Sequence, residues 1–323
     1  MSRIVLDLIE RIGPLAAGST AEVPFGPGDA DVITAWCERT GNQAVSMRGG
    51  VAVVRRGREP GPVALPPRLW LYTNFDCNLA CDYCCSRSSP KAPRRALGRD
   101  RVERIAAEAA ALEVTELFLT GGEPFLLPDL DEIAGACAAR LPTTLLTNGM
   151  LLRGRRLDLL RRMPRDGLAL QISLDSPTPE RHDRHRGTGT WERAVHGIRT
   201  ASAEGFRVRV AATVAAGESD AAETERLHVF LDELGIPAAD RVIRPVAQQG
   251  FAEDGVTVTP ASVIPEMTIT ADGVYWHPIG VDDPDQFVTR EIFPLADALA
   301  EVRSRHAEYR NAADAAAQRF PCA

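Results

Sequence analysis

Apolar and polar residues follow one regime in the first part of this chain and another in the rest. Over residues 1–60, "VLDLIERIGPL" places apolar residues at helical spacing and "STAEVPF" alternates as a strand does. "DADVITAWCERTG" opens on an Asp cap and closes on Gly, which predicts a second helix. "QAVSMRG" and "VAVVRRG" then predict a hairpin around Gly49 and Gly50, and the Pro/Gly-rich "GREPGPVALPP" reads as a linker.

From residue 68 to about 250, short apolar runs alternate with amphipathic stretches of about a dozen residues. "RLWLYTN", "TELFLTG", "TTLLTNG", "LALQISLD", "RVRVAATV" and "DRVIRPV" read as six strands, with helices such as "RDRVERIAAEAAAL" and "TWERAVHGIRTASAEG" between them. Strand–helix alternation of this kind predicts parallel β/α units joined by right-handed crossovers. Six units are too few for a closed eight-stranded barrel, so the fold class is α/β, either a partial barrel or an open doubly wound sheet. In both, ligands sit at the C-terminal ends of the strands. Residues 255–323 form a different region: "PEMTITADGVYWHP" predicts two strands turning on Asp272 and Gly273, and "IFPLADALAEVRSRHAEYRNAADAAAQRF" a long helix.

Composition narrows the partners. The 323 residues are 45% apolar and 25% charged with a net charge of −7, ordinary for a globular protein. The basic residues are arginines except Lys91, and no basic run is interleaved with aromatics, so a nucleic-acid partner is not expected. No apolar run approaches the roughly 18 residues of a membrane span. "MSRIVLDLIERIG" carries charges inside its apolar stretch, unlike a secretory signal, so a cytoplasmic, reducing setting is expected.

Cysteine placement changes the picture most. Four of the seven cysteines fall in "CNLACDYCC": Cys77, Cys81, Cys84 and Cys85. An odd count in one dense cluster argues against a disulfide framework. Cys37 and Cys137 lie on apolar helical patterns and read as buried small hydrophobes. Cys77, Cys81 and Cys84 form C-x3-C-x2-C just after the first strand of the alternating region. Three thiolates from one loop suit three corners of a cubane iron–sulfur cluster whose fourth iron is open. Structural zinc is the rival, but it takes four ligands, and no histidine lies near in sequence.

The stretch "CNLACDYC" resembles the signature of the radical S-adenosylmethionine (radical SAM) superfamily. The resemblance implies a partial (β/α)6 TIM-like barrel over residues 68–250 and one [4Fe-4S] cluster on Cys77, Cys81 and Cys84. It also implies SAM chelated at the fourth iron and cleaved reductively to a 5′-deoxyadenosyl radical. "LFLTGGEP" matches the family's second-strand motif, with Gly121, Gly122, Glu123 and Pro124 holding the SAM amino group, and "LLTNG" contributes Thr147 and Asn148. "QISLDSPTPERHDRHRGTGTWERAVHGI" is similar to stretches in the SPASM/twitch branch. By that likeness Ser173, Asp175 and an arginine at 184 or 186, preferably Arg186, meet the ribose or carboxylate of SAM. Tyr83 occupies the position that packs near adenine, and Thr213 and Val214 support the adenine face.

Two departures matter. The region after residue 255 resembles the twitch/SPASM extension, but "GVYWHP" lacks the cysteines that hold auxiliary clusters there, and only Cys322 lies in the tail, where it could begin a motif that the sequence cuts short. A single cluster is therefore expected, with Glu266, Trp276 and His277 as candidate substrate-pocket residues or, alternatively, hairpin stabilisers. Residues 1–60 are faintly similar to TusA/SirA-type domains without their sulfur-carrying Cys-Pro motif, which implies a docking or substrate-covering role; a winged-helix peptide-recognition domain is the competing reading and fits the pattern less well. The expected function is hydrogen abstraction from a small-molecule substrate, dependent on a reducing partner such as flavodoxin or ferredoxin. The alternatives are a peptide- or protein-modifying maturase and a non-catalytic Fe–S or zinc-binding protein.

Overall fold

In the computed structural model, residues 3–16, 18–57, 65–214 and 221–319 are described. The chain divides into two units, residues 1–64 with 303–323, and residues 65–302. In the first unit, α1 (Arg3–Ile12) and α2 (Asp29–Thr40) flank β1 (Thr20–Pro24), and β2 (Gln43–Arg48) and β3 (Val51–Arg55) follow as the expected hairpin. The strands form an antiparallel sheet in the order β1-β3-β2. Ile4, Leu8 and Ile12, one face of α1 at helical spacing, pack with Val23, Ile33 and Val54. Cys37 lies buried in the same core, as the sequence suggested.

The second unit holds six parallel strands: β4 (Arg68–Tyr72), β5 (Glu116–Thr120), β6 (Thr143–Thr147), β7 (Leu168–Ser173), β8 (Arg207–Val214) and β9 (Arg241–Pro245). They lie side by side in sequence order. A doubly wound sheet reverses its order at a switch point; this one never does. The connecting helices therefore share one face, and the half-open alternative resolves to the partial barrel. These helices are α3 (Arg99–Ala110), α4 (Leu130–Ala138), α5 (Arg155–Arg162), α6 (Pro179–Arg186), α7 (Thr190–Ala203) and α8 (Ala221–Glu233). Leu69, Leu71, Leu117, Leu119, Leu145 and Leu170 point to that face and join a core with Ile105, Ile133 and Ile198. Cys137 is buried in this core too. The opposite face carries Trp70, Phe118 and Thr144, register partners across β4, β5 and β6, and Gln171 and Arg209, paired across β7 and β8.

The sheet also grows past β4. β10 (Thr268–Thr270) pairs parallel with it, β11 (Gly273–Tyr275) turns back on β10, and β12 (Phe287–Thr289) pairs antiparallel with β11. The hairpin at Asp272 and Gly273 matches expectation. The three-residue β12 does not announce itself in sequence, because so short a run carries too little periodicity. The long helix α9 spans Leu295–Arg319. Cys322 lies outside the described residues. Among the described residues no helix is long and apolar enough to cross a membrane.

Candidate active site at the strand ends

The loop leaving β4 carries the three cysteines, and its course is fixed by backbone bonds on both sides. Gly122 N donates to Asn74 O (2.9 Å) and Glu123 N to Asp76 O (3.0 Å), which seats residues 74–76 on the end of β5. Phe251 N donates to Cys84 O (3.0 Å) from the other side. Both contacts demand glycine. A Cβ on Gly122 would stand 2.2 Å from Asp76 O, and one on Gly250 would stand 2.2 Å from Cys84 O. Gly250 and the wholly buried Asn74, whose Nδ2 donates to Asp76 O and Glu123 O (both 3.0 Å), escaped the sequence reading. One loop residue in a strand-end Asn or a distant Gly gives no local signal of such a contact.

Cys77, Cys81 and Cys84 are half-buried on this loop. Burial pushes the Cys77 thiol up to about 12 and the Cys81 thiol up to about 11, so each keeps its proton near neutrality until a cation replaces it. Cys77 Sγ already accepts from Leu79 N at 3.4 Å, a bond suited to a ligated thiolate. Cys85 packs beside Tyr72, its Sγ 4.0 Å from the phenol oxygen, and belongs to that wall of the loop. Among the described residues no group of three or more His, Cys, Asp or Glu side chains is arranged to hold a single metal ion.

Glu123 is a strut. Its carboxylate is fully buried and accepts from Phe125 N (3.0 Å), Thr147 Oγ1 (2.8 Å) and Asn148 N (2.9 Å). Burial holds its carboxyl above the usual carboxylate range, against three donors that favour the ion. The carboxylate is thus committed to joining β5 to β6. Pro124 is buried at the head of the same turn. Asn148 Nδ2 donates to Asn78 Oδ1 (2.9 Å), linking the end of β6 to the cysteine loop.

A second polar knot lies at the end of β7. Asp175 accepts from Arg186 Nε (2.6 Å) and Nη2 (3.1 Å), from Thr213 N (3.0 Å) and from the Tyr83 hydroxyl. Burial raises the Asp175 carboxyl, but the Arg186 charge and these donors together hold it below the usual range. Arg186 is pushed up well above its ordinary value, because the Asp175 charge outweighs its own burial. The guanidinium lies 5.5 Å from the centre of the Tyr83 ring. Thus Tyr83, Asp175, Arg186 and Thr213 meet, and Ser173 ends β7 beside them on the inner face. Asp175, Thr213 and Val214 line a shallow pocket with Arg181, His185, Glu223, Leu227 and Ile243.

α6 supplies Arg186, and its residues, nearly all polar, lack the apolar periodicity that marks the other helices. The start signal was present: Pro179 at the first helical position directly after Thr178. Helical spacing then puts His182 and Arg186 on one face, both reaching Asp175. His182 Nδ1 accepts from Asp175 N (3.2 Å), and burial lowers the ring to about 4, so it is neutral. One position from Arg186, His185 Nδ1 meets the Asp82 carboxylate at 2.9 Å, tying α6 to the cysteine loop.

Of the three candidates in the extension, Trp276 is 1% exposed and packs into the main core, where it stabilises the hairpin. Glu266 accepts from Trp70 Nε1 and Arg68 Nη1. His277 follows β11, and its Nδ1 accepts from Ile279 N (3.3 Å).

A family model described as the Radical SAM superfamily matches residues 71–228, which contain the cysteine loop, the Gly-Gly-Glu-Pro turn and the Asp175 knot. The chain carries a radical SAM domain. The PqqA peptide cyclase of Ruegeria pomeroyi is 39% identical over 40% of this chain and 33% of its own. The AdoMet-dependent heme synthase of Methanosarcina barkeri is 35% identical over 46% and 43%. The chain thus spans less than half the length of these relatives. Among solved structures, Streptococcus suis SuiB bound to S-adenosylmethionine superposes with a TM-score of 0.51 at 20% identity, over 61% of this chain and 45% of that one; this is a likeness of fold. A radical SAM domain uses a [4Fe-4S] cluster and SAM. The residues present fit both: three thiols on one bonded loop, a Gly-Gly turn joined to that loop at the end of β5, and a polar knot at the end of β7.

Proposed function

We propose that this protein is a radical SAM enzyme that cleaves SAM reductively and abstracts a hydrogen atom from an organic substrate. The cluster, once bound and reduced, supplies the electron that breaks the sulfur–carbon bond of SAM. Everything else falls to the chain. Cys77, Cys81 and Cys84 would hold the cluster and leave one corner for SAM. The carbonyls at Gly121 and Gly122 orient an ammonium group, and Ser173, Thr213 and Val214 offer contacts to the nucleoside. Tyr83, Asp175 and Arg186 keep that wall rigid, since their bonds are satisfied within the protein. The observation that carries the reading is the joining of the cysteine loop to the ends of β5 and β6, through Glu123 N–Asp76 O and through Asn148–Asn78.

On the substrate, the reading favoured from sequence was a small molecule, and a relative named for heme synthesis supports it. A relative named for peptide cyclisation supports the peptide reading equally. The observation that discriminates is mass change in a peptide partner against mass change in a small metabolite after turnover. The lower-level test is spectroscopic. Anaerobically reconstituted protein is expected to hold about four iron atoms per chain, and SAM is expected to perturb the electron paramagnetic resonance signal of the reduced cluster. A count near eight would reveal a second cluster. A spectrum indifferent to SAM would remove the open corner on which the proposal stands.

A further inference from the structure

Directly after the last cysteine of its loop the chain makes a tight reversal. Among the described residues Arg87 is the one non-glycine with φ in the left-handed region, at 50°. A side chain is held there only where its surroundings fix it, and such outliers gather at functional sites. The surroundings of Arg87 are definite: it pairs with the Asp282 carboxylate, and its guanidinium lies 5.7 Å from the centre of the Phe251 ring. Its backbone N–H donates to Cys84 O (3.2 Å), and two residues on, Ser89 O accepts from Cys77 N (3.3 Å). Residues 86–89 are thereby strapped across the loop that carries the cysteines.

This reversal brings two buried hydroxyls to one another and to a sulfur. Ser86 is 4% exposed and Ser88 3%. Their oxygens lie 2.9 Å apart, and Ser86 Oγ lies 3.5 Å from Cys84 Sγ. Among the described residues no other hydrogen bond holds either hydroxyl. Buried hydroxyls are costly unless bonded, so the pair is committed to the sulfur and to each other. Proton count sets the direction of the bonds. A hydroxyl carries one proton, whereas a sulfur that holds iron is a thiolate and carries none. The charged sulfur is the stronger acceptor for the Ser86 proton, which leaves the Ser86 oxygen to accept from Ser88. Each bond polarises the next.

We propose that Ser86, backed by Ser88, is a positioning residue that donates a hydrogen bond to the ligated Cys84 sulfur and so raises the reduction potential of the bound cluster. The inference rests on the reading above that Cys84 holds the cluster. Reduction adds negative charge that the sulfurs share, and a donor at a sulfur favours the reduced form. The hydroxyl pair thus brings the cluster within reach of a weaker reductant.

The test is an equilibrium redox titration of the full, iron-loaded chain without SAM. Dithionite is the reductant, mediators are present, and the electron paramagnetic resonance signal of the reduced cluster is read. In Ser86→Ala, at a fixed solution potential, the ratio of reduced to oxidised cluster is expected to fall about tenfold, a downward shift of about 59 mV for one electron. Iron content is expected to stay at the wild-type level. Ser86→Thr keeps the hydroxyl and is expected to stay near wild type, and Ser88→Ala to shift the same way by less. An unchanged or raised potential in Ser86→Ala overturns the proposal. So does a Ser86→Thr protein that shifts as far as Ser86→Ala, since packing rather than the hydroxyl would then set the potential. If Ser86→Ala loses its iron, Ser88→Ala decides: a lowered potential supports the bond and an unchanged one overturns it. A shifted potential in a protein whose wild type yields no 5′-deoxyadenosine would refute the proposed function and leave the bond. 5′-Deoxyadenosine from the wild type, with equal potentials in wild type and Ser86→Ala, would refute the bond alone.

Discussion

Asp175 shows how much of this site is carried by single buried charges. Its carboxylate gathers a guanidinium, a phenol and a backbone N–H, and the side chain is only 5% exposed. Removing the charge while keeping the shape leaves Arg186 buried without a counter-ion, a change that costs about 3–5 kcal/mol. Asp175→Asn is therefore expected to lower the denaturation midpoint sharply and to weaken SAM binding, as read by chemical unfolding and by titration. A midpoint within error of wild type would show that the pair is not the anchor of this wall. The three cysteines and the Gly-Gly-Glu-Pro turn were legible as residues because their spacing is itself the chemistry. Glu123 was not legible in its role: a carboxylate beside glycines suggests an open ligand, and only its three inward donors show a strut. Nor was Gly250, whose partner Cys84 lies 166 residues away, counting from 84 to 250.

At the scale of elements, the strand–helix alternation showed six parallel strands, because strands covered by helices read as largely apolar runs. Their order, which separates a partial barrel from a doubly wound sheet, came only from the structure. α6 was missed because its composition, "PERHDRHR", has almost no apolar face; its helical state is used to place His182 and Arg186 together on Asp175. The cysteine loop is an element whose path is set by its neighbours, and this can be tested without touching a cysteine. Gly250→Ala places a methyl group against Cys84 O, and relief requires the loop to move. The expected outcome is a folded protein with normal far-ultraviolet circular dichroism and a much reduced iron content after reconstitution. Full iron occupancy in that variant would show that the loop is not held from this side.

For the whole molecule, stability should fall as the medium turns mildly acidic, and the sign follows from His182. Its ring titrates near 6.5 when unfolded but near 4 in the fold, where burial and the Arg186 charge oppose a second cation. The unfolded chain therefore takes up a proton first. The stabilisation is complete above pH 6.5 and is lost progressively as the pH falls from there towards 4, by up to about 3 kcal/mol. Asp175, also held low, adds to the loss only in more acidic solution. Unfolding midpoints across pH 4–8 should show this slope in the wild type and a shallower one in His182→Gln, whereas identical slopes would place the acid sensitivity elsewhere. The central claim is that three thiols and two strand ends of one sheet make a centre for breaking SAM. Its most direct measurement is chromatographic detection of 5′-deoxyadenosine from anaerobic, iron-loaded protein given SAM and dithionite. The wild type is expected to form it and Cys84→Ala to form none; an iron-loaded wild type that forms none, or a Cys84→Ala protein that forms as much, would contradict the account.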